Sequence, residues 1–202
     1  MEGPKIQLSS AESELMQNAA VILTKNSVLQ KLGGLLKVTA VHMQHFAEQS
    51  PLRGREPFLV SPKISKGENY LGLPYLILDY PRTGGGQDLF FIRSMFWWGR
   101  LFSSTLHLSG RFKESHASSI GEQKSRLSDY YIATGEDQWA HHFEPSNYSA
   151  ISGMEDRMYR AACAEKSYLK IARKWPLEEW NDMPELWLAS WKELLAACRL
   201  IA

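Results

Sequence analysis

The stretch from Gly135 to Glu144 places three carboxylates and two imidazoles within ten residues, GEDQWAHHFE. Carboxylates and imidazoles bind divalent metals or exchange protons near neutral pH, so the stretch predicts a metal or acid–base site. The candidate residues are Glu136, Asp137, His141 and His142. Adjacent histidines point in different directions, so a site would use one of them with help from elsewhere, such as His107. The alternative is a solvated loop anchored by its aromatic residues.

A second group combines three hydroxyls with an imidazole in an aromatic-rich region: Ser94, Ser103, Thr105 and His107. A few polar groups in an apolar wall are typical of a small-molecule pocket. The group therefore predicts ligand binding on one face of a sheet. The alternative is a second packed layer in which hydrogen bonds satisfy the hydroxyls.

The second group lies in three apolar strands, separated by two turns, that run from Tyr75 to Gly110. Trp98 and Gly99 separate two aromatic-rich runs and predict a two-residue hairpin loop. That loop sets Trp97 opposite Arg100, Met95 opposite Phe102, Arg93 opposite Ser104 and Phe91 opposite Leu106. Alternation then puts Ser94, Ser103, Thr105 and His107 on one face. Both faces are rich in apolar residues, so we expect helices on one and a second layer, a subunit partner or a ligand on the other.

Amphipathic segments flank these strands. Apolar spacing predicts helices over about 11–25, 28–48 and 154–175, and a last helix that ends near residue 200. Proline and glycine punctuation predicts a short edge strand at 58–60 and a loop over 62–72. The chain is predicted to be one α+β domain, residues 1–202. An antiparallel β-meander of three to five strands (about 58–134) is covered by N-terminal helices (about 9–48) and C-terminal helices (about 154–200).

Composition argues against several kinds of partner. The net charge is +1 and no block of like charges occurs, so no nucleic-acid partner is expected. The longest apolar runs are strand-sized, well short of the roughly 20 residues that span a membrane, and the N-terminus lacks a secretory signal. Cys163 and Cys198 fit buried free thiols, and a cytoplasmic location is expected.

Three segments resemble known sequences: KISKGENYLGLPYLILDYPR, FFIRSMFWWGRLFSSTLHLSG and GEDQWAHHFE. At these segments the chain resembles a group of uncharacterised bacterial proteins, and the resemblance covers most of the chain from Lys63 on. It implies no activity, cofactor or site residue, because none is assigned to that group.

Three functions are compatible with these patterns. The first is a soluble, non-catalytic binding or interaction protein that presents the hydroxyl-bearing sheet face to a small ligand or a second subunit. The second is a metal-assisted or acid–base enzyme centred on Glu136 to His142, with a divalent metal as the cofactor in the metal-assisted case. The third is a structural homodimer sealed by exposed aromatic residues.

Overall fold

The computed structural model describes residues 6–83 and 85–202. It confirms the α+β class, because helices from both ends of the chain cover an antiparallel sheet. The described residues form seven strands, more than the three to five predicted, in the order β1-β2-β3-β4-β7-β5-β6. The strands are β1 (Lys63–Tyr70), β2 (Leu73–Arg82), β3 (Phe90–Trp97), β4 (Leu101–Ser109), β5 (Tyr131–Ala133), β6 (Tyr148–Ala150) and β7 (Tyr168–Trp175). The helices are α1 (Ser10–Gln17), α2 (Ala19–Glu48), α3 (Glu56–Leu59), α4 (Gly110–Gly121), α5 (Asp156–Glu165) and α6 (Met183–Ala197), with 3-10 turns at Ile151–Gly153 and Leu177–Asn181.

The β3–β4 hairpin has a three-residue loop, so the predicted pairing is wrong by one residue. Trp97 pairs with Leu101 and Arg93 with Thr105. The loop closes with a hydrogen bond from the Arg100 amide to the Trp97 carbonyl at 3.1 Å, and Gly99 takes a φ of +65°. A glycine in the left-handed region is the usual requirement of a three-residue hairpin. A one-residue slip exchanges the faces of one strand relative to the other.

Strand β7 replaces the second half of the helix predicted over 154–175. Only Asp156–Glu165 is helical, and Tyr168–Trp175 pairs along the whole of β4. The residues of β7 alternate between the two faces of the sheet, as a period of two requires. The sheet therefore extends to residue 175, well beyond the predicted boundary at 134.

The region between α2 and β2 also differs from prediction. Residues 62–72, predicted as a loop, contain strand β1, which pairs with β2 from Lys63 to Tyr70. Of the predicted edge strand at 58–60, Phe58 and Leu59 instead belong to the short helix α3, and Val60 follows its end. Pro57 lies in the first turn of that helix, where a proline is favoured because its missing N–H is not needed.

One face of the sheet, the helix face, packs against α2, α3, α4 and α6. The indoles of Trp187 and Trp191 from α6 are fully buried there. Each donates its Nε1 proton to a strand carbonyl, Trp187 to Ser103 at 3.0 Å and Trp191 to Tyr80 at 2.8 Å. These bonds fix α6 on the sheet without leaving a buried donor unpaired.

Candidate functional site

The opposite face, the loop face, carries polar side chains in two adjacent cross-strand rows: Asp79–Arg93–Thr105 and Phe91–His107–Lys170. Residues two apart on one strand point to the same side of a sheet. Arg93, His107 and Lys170 therefore share the centre of this face. Their strands β3, β4 and β7 are the middle three in the strand order.

An irregular part of the chain, the covering segment (residues 134–147), lies over the loop face. The Tyr70 hydroxyl accepts the backbone N–H of His141 at 2.6 Å and that of His142 at 3.1 Å. Asn147 closes the segment by donating its side-chain amide to the His142 carbonyl at 2.6 Å. The segment is thus held by side-chain hydrogen bonds and not by a regular hydrogen-bond ladder.

Arg93 is the fixed cation of the loop face. Its guanidinium donates to both carboxylate oxygens of Asp79, at 2.8 and 2.9 Å, and the two side chains are 16% and 14% exposed. Its Nη1 also lies 2.9 Å from Nε2 of His141. Burial, and then the Arg93 charge, hold the pKa of His141 well below its usual range, so its neutral ring accepts this bond.

Lys170 is the second cation, and it is fully buried. Its ammonium donates to the Ala140 carbonyl at 2.5 Å and lies 5.4 Å from the centre of the Tyr148 ring. In the described ranges, no carboxylate oxygen comes within ion-pair distance of it. Burial, and then the Arg93 charge, lower the pKa of Lys170 to about 7. The amine is therefore partly neutral at physiological pH, which is unusual for lysine.

His107 lies directly beside Lys170 and is also fully buried. Its Nε2 donates to Oε1 of Gln138 in the covering segment at 3.2 Å. Burial, and then the Lys170 charge, lower the pKa of His107 to about 3, so the ring is neutral and its Nδ1 is an acceptor. That Nδ1 has no hydrogen-bond partner among the described residues.

Several buried polar atoms in or beneath the covering segment share this lack of a partner. Within the described part of the chain they are His107 Nδ1, His142 Nδ1, Asn147 Oδ1 and the Tyr148 hydroxyl. Buried polar atoms are nearly always hydrogen-bonded, so each needs a reason. The helix face has one such atom in the same ranges, Ser104 Oγ. The unsatisfied hydrogen-bonding capacity is therefore concentrated on the loop face.

Clefts flank the covering segment on two sides. One, of about 490 Å³, is lined by Gln138, Trp139 and polar residues of the adjoining loops. Trp139 is 50% exposed, and its indole lies parallel to the Phe91 ring with centroids 6.5 Å apart and 5.3 Å from the His107 centroid. The other cleft, of about 360 Å³, is lined by residues that include His142 and Phe143. Both clefts end against the covering segment, and the buried polar groups lie beneath it.

The predicted hydroxyl and imidazole group is only partly assembled. Ser103, Thr105 and His107 share the loop face and are buried. Ser94 is buried on the helix face, opposite Ser104, so its inclusion in the group was wrong. The cause is the one-residue difference in the hairpin loop, which moves β3 relative to β4.

The predicted metal or acid–base group is not assembled. The Glu136 side chain is 97% exposed and pairs with Lys166 at 2.8 Å. Asp137 accepts the backbone N–H of Trp139 at 2.8 Å, whereas His141 is buried against Arg93. Among residues 6–83 and 85–202, no three metal-binding side chains lie close enough to hold an ion. The arrangement of Glu136, Asp137, His141 and His142 therefore does not support a metal site.

Sequence reasoning missed Asp79, Arg93 and Lys170 as site residues. Lys170 was assigned to a helix, although YLKIARKW alternates with a period of two, and this signal was available. Arg93 was placed on the face away from His107 by the two-residue loop. A predicted three-residue loop with Gly99 in the left-handed conformation would have placed Arg93 and His107 on the same face.

Comparison with known proteins finds no match to a family model, a curated protein or a solved structure. The resemblance to a bacterial group, and the cytoplasmic location, therefore stay predictions. Across the described ranges no helix has the length and apolar character needed to cross a membrane.

Proposed function

We propose that this is a small-molecule binding protein whose ligand lies on the loop face, beneath the covering segment, and carries a carboxylate or a phosphate. The observation that carries the proposal is the fully buried Lys170, which has a backbone carbonyl as its polar partner and, in the described ranges, no carboxylate. The proposed site lies on the ligand-binding face predicted from the sequence. It includes Lys170 and Arg93, which were not predicted, and it does not include Ser94.

The balance of charge favours an anion. Arg93 is neutralised by its bidentate contact with Asp79. Lys170 has no carboxylate at ion-pair distance in the described chain, although the more distant Asp137 charge raises its pKa. Burying an unpaired charge is costly, and the lowered pKa of Lys170 reflects that cost. A ligand carboxylate or phosphate beside Lys170 would replace the neutral carbonyl acceptor with a charged one and so form an ion pair.

The partnerless polar atoms favour a ligand with hydrogen-bonding groups beside its anion. His107 Nδ1 and Asn147 Oδ1 are acceptors, and the Tyr148 hydroxyl is also a donor. The ligand would therefore carry a hydroxyl or N–H donor in addition to its anion. Trp139, half-exposed beside the 490 Å³ cleft, offers a flat apolar surface for the rest of the molecule.

Entry requires the covering segment to move. Its contacts to the sheet are side-chain hydrogen bonds of Tyr70, Arg93, His107, Tyr168 and Lys170, each of which a ligand or water can replace. Segments without a regular hydrogen-bond ladder open at lower free energy than the core. The clefts on two sides of the segment provide the space into which it can shift.

The test is a thermal-shift screen of aromatic and aliphatic carboxylates and phosphate esters, each beside its neutral amide or alcohol. A ligand at about 100 times its Kd stabilises the folded state by roughly 2.7 kcal/mol. We expect an acid to raise Tm, its neutral counterpart to have little effect, and Lys170→Met to lose the response. Lys174→Met, an exposed lysine on the same strand, should keep it. Equal responses to acid and amide, an undiminished response in Lys170→Met, or no response to any anion would contradict the proposal.

Calorimetry gives an independent readout of the same site. An anion bound beside Lys170 favours the charged amine and so raises its pKa. Binding at pH 8, above the pKa of about 7, should therefore take up protons, and the heat should depend on the ionisation enthalpy of the buffer. A buffer-independent heat would place the anion away from Lys170.

An enzyme is the second candidate, and the partly neutral amine of Lys170 favours it. Such an amine can attack a carbonyl carbon, forming a C–N bond and releasing water to give an imine. Borohydride reduction in the presence of a keto acid such as pyruvate would trap that imine as a stable adduct. A mass increase on the peptide that contains Lys170, absent in Lys170→Met, is expected of an imine-forming enzyme. An unmodified peptide would argue against imine formation, and ligand binding would then be the only candidate function left.

A further inference from the structure

The N-terminal part of the described chain projects from the fold with its apolar side chains uncovered. From residue 6 to residue 24 every residue is exposed except the half-buried Ser13, and the first buried residue of α2 is Leu32. We call residues 6–24 the arm. The exposed large apolar residues of the arm are Ile6, Leu8, Leu15, Met16, Val21, Ile22 and Leu23.

Among the residues that the structure describes, helix α1 of the arm buries none of its own, whereas Val21 and Thr24 border a groove with β2. Helix α1 has eight residues, none of them buried, and its N-terminus is closed by the Ser9–Glu12 capping box. Helix α2 begins after Asn18, not near residue 28 as predicted, and continues unbroken through Gly33 and Gly34. Short isolated helices are marginal in water, because most helical stability in proteins comes from packing an apolar face. The arm therefore requires a partner.

An apolar groove lies at the base of the arm. It encloses about 600 Å³ and is lined mainly by Val21, Val28, Leu73, Pro74 and Trp98. The same chain thus carries both an uncovered apolar helix and an uncovered apolar groove. Complementary surfaces on one chain can be satisfied by two copies related by a two-fold axis, each contributing its helix to the groove of the other.

The charges of helices α1 and α2 also favour a second copy of this chain as the partner. Helix α1 carries Glu12 and Glu14 and no basic residue, whereas α2 carries Lys25, Lys31 and Lys37 with no acidic residue before Glu48. Lys25 already pairs with Glu68 at 2.9 Å, but Lys31 lies exposed along the arm-proximal half of α2. An acidic helix docked along this basic half has complementary charge.

We propose that the protein is a two-fold dimer in which α1 of each copy docks into the groove of the other copy. Glu14 of α1 then faces Lys31 of the partner subunit, and Leu15 and Met16 fill the groove. The partner is a second copy of this chain, since both halves of the contact are present on it. The groove shares no residue with the proposed ligand site, so the two proposals stand or fall independently.

Sedimentation analysis of the full chain across a range of concentrations tests the proposal. We expect a reversible dimer, and we expect Leu15→Glu and Val28→Glu each to raise the dimer Kd by roughly 100-fold or more, because each acts twice in a two-fold interface. Val41→Glu, at an exposed apolar position of α2 outside the arm and the groove, is the matched control and should leave the Kd unchanged.

A charge exchange distinguishes the proposed pairing from general stickiness. Glu14→Lys and Lys31→Glu should each weaken self-association, because each makes the facing helices alike in charge. Mixing the two variants should restore association, since both contacts of the mixed dimer again join opposite charges. A monomeric wild type, no gain on mixing, or a monomer that binds lipid vesicles through the arm would overturn the proposal.

Discussion

The helix face and the loop face belong to the same seven strands but differ in the kinds of side chain that they bury. On the helix face, leucines, isoleucines and two tryptophans pack beneath regular helices, and both indole N–H groups are paired. On the loop face, a buried Arg93–Asp79 pair, a buried lysine and neutral histidines lie beneath an irregular segment. The first face is arranged for stability. The second face buries charged and polar groups at a cost in folding free energy, which a requirement for stability alone does not explain.

The difference shows how one set of strands serves two purposes. Because side chains alternate across a strand, His107 and Lys170 face one way while their neighbours Leu106 and Ile171 face the other. The helix face supplies the rigid platform, and the loop face uses it to hold polar groups at fixed positions. Groups held on strands are positioned more accurately than groups on loops.

The largest expected effect comes from a matched pair of tryptophan truncations. Trp191 is fully buried on the helix face, with its ring parallel to that of Tyr80 at 6.2 Å. Trp191→Ala should lower the free energy of unfolding by about 3–5 kcal/mol. Trp139→Ala, on the half-exposed cover of the loop face, should lower it by less than about 1 kcal/mol. Urea denaturation of both variants measures the contrast, and equal losses would show that the covering segment is as integral to the core as α6.

A smaller effect is expected from breaking the ion pair of the loop face. Asp79→Ala leaves the Arg93 guanidinium largely buried without its carboxylate, which should destabilise the fold by about 3 kcal/mol. Asp129→Ala is the control, because the Asp129 side chain is 70% exposed and forms its ion pair with Arg173, at 3.3 Å, near solvent. This variant should lower the free energy of unfolding by less than about 1 kcal/mol. Chemical denaturation of the two variants checks the difference. Similar losses would mean that Arg93 finds another partner or reaches solvent.

The smallest effect, taken per pH unit, is on the pH dependence of stability. The pKa of His107 is lowered from 6.5 to about 3, so the unfolded chain binds more protons between these values. Stability should therefore fall as the pH drops from 6.5 toward 3, by at most about 1.4 kcal/mol per pH unit from this group. His107→Gln should show a shallower fall, while the exposed His42→Gln should follow the wild type. Identical slopes in all three proteins would show that His107 is not held neutral in the fold.

The helix face was more predictable than the loop face. The α+β class, the core tryptophans of α6 and strands β2, β3 and β4 follow from apolar periodicity, which reports burial directly. The loop face depends on register, and a hairpin loop of two or three residues changes which side chains meet. Ser94 was assigned to the wrong face for that reason. Lys170 was missed because an apolar stretch that contains a lysine is compatible with a helix as well as with a strand.

The covering segment was the least predictable part. Its carboxylates and imidazoles are adjacent in sequence, but their directions depend on a backbone without a repeating geometry. Contacts from distant residues, such as the Tyr70 hydroxyl to the His141 amide, set that backbone. Glu136 therefore points to solvent while His141 points to Arg93, a separation that spacing in the sequence does not encode.

The account rests on Lys170 being a buried amine without a carboxylate partner, and an NMR titration of the lysine side chains tests this most directly. The Lys170 resonance, assigned by its absence in Lys170→Met, should titrate with a pKa near 7 in the free protein, and that pKa should rise when an anionic ligand is added. A pKa close to the ordinary 10.5 would contradict the account, because it would show that the ammonium is already solvated or paired and that the loop face has no place for an anion.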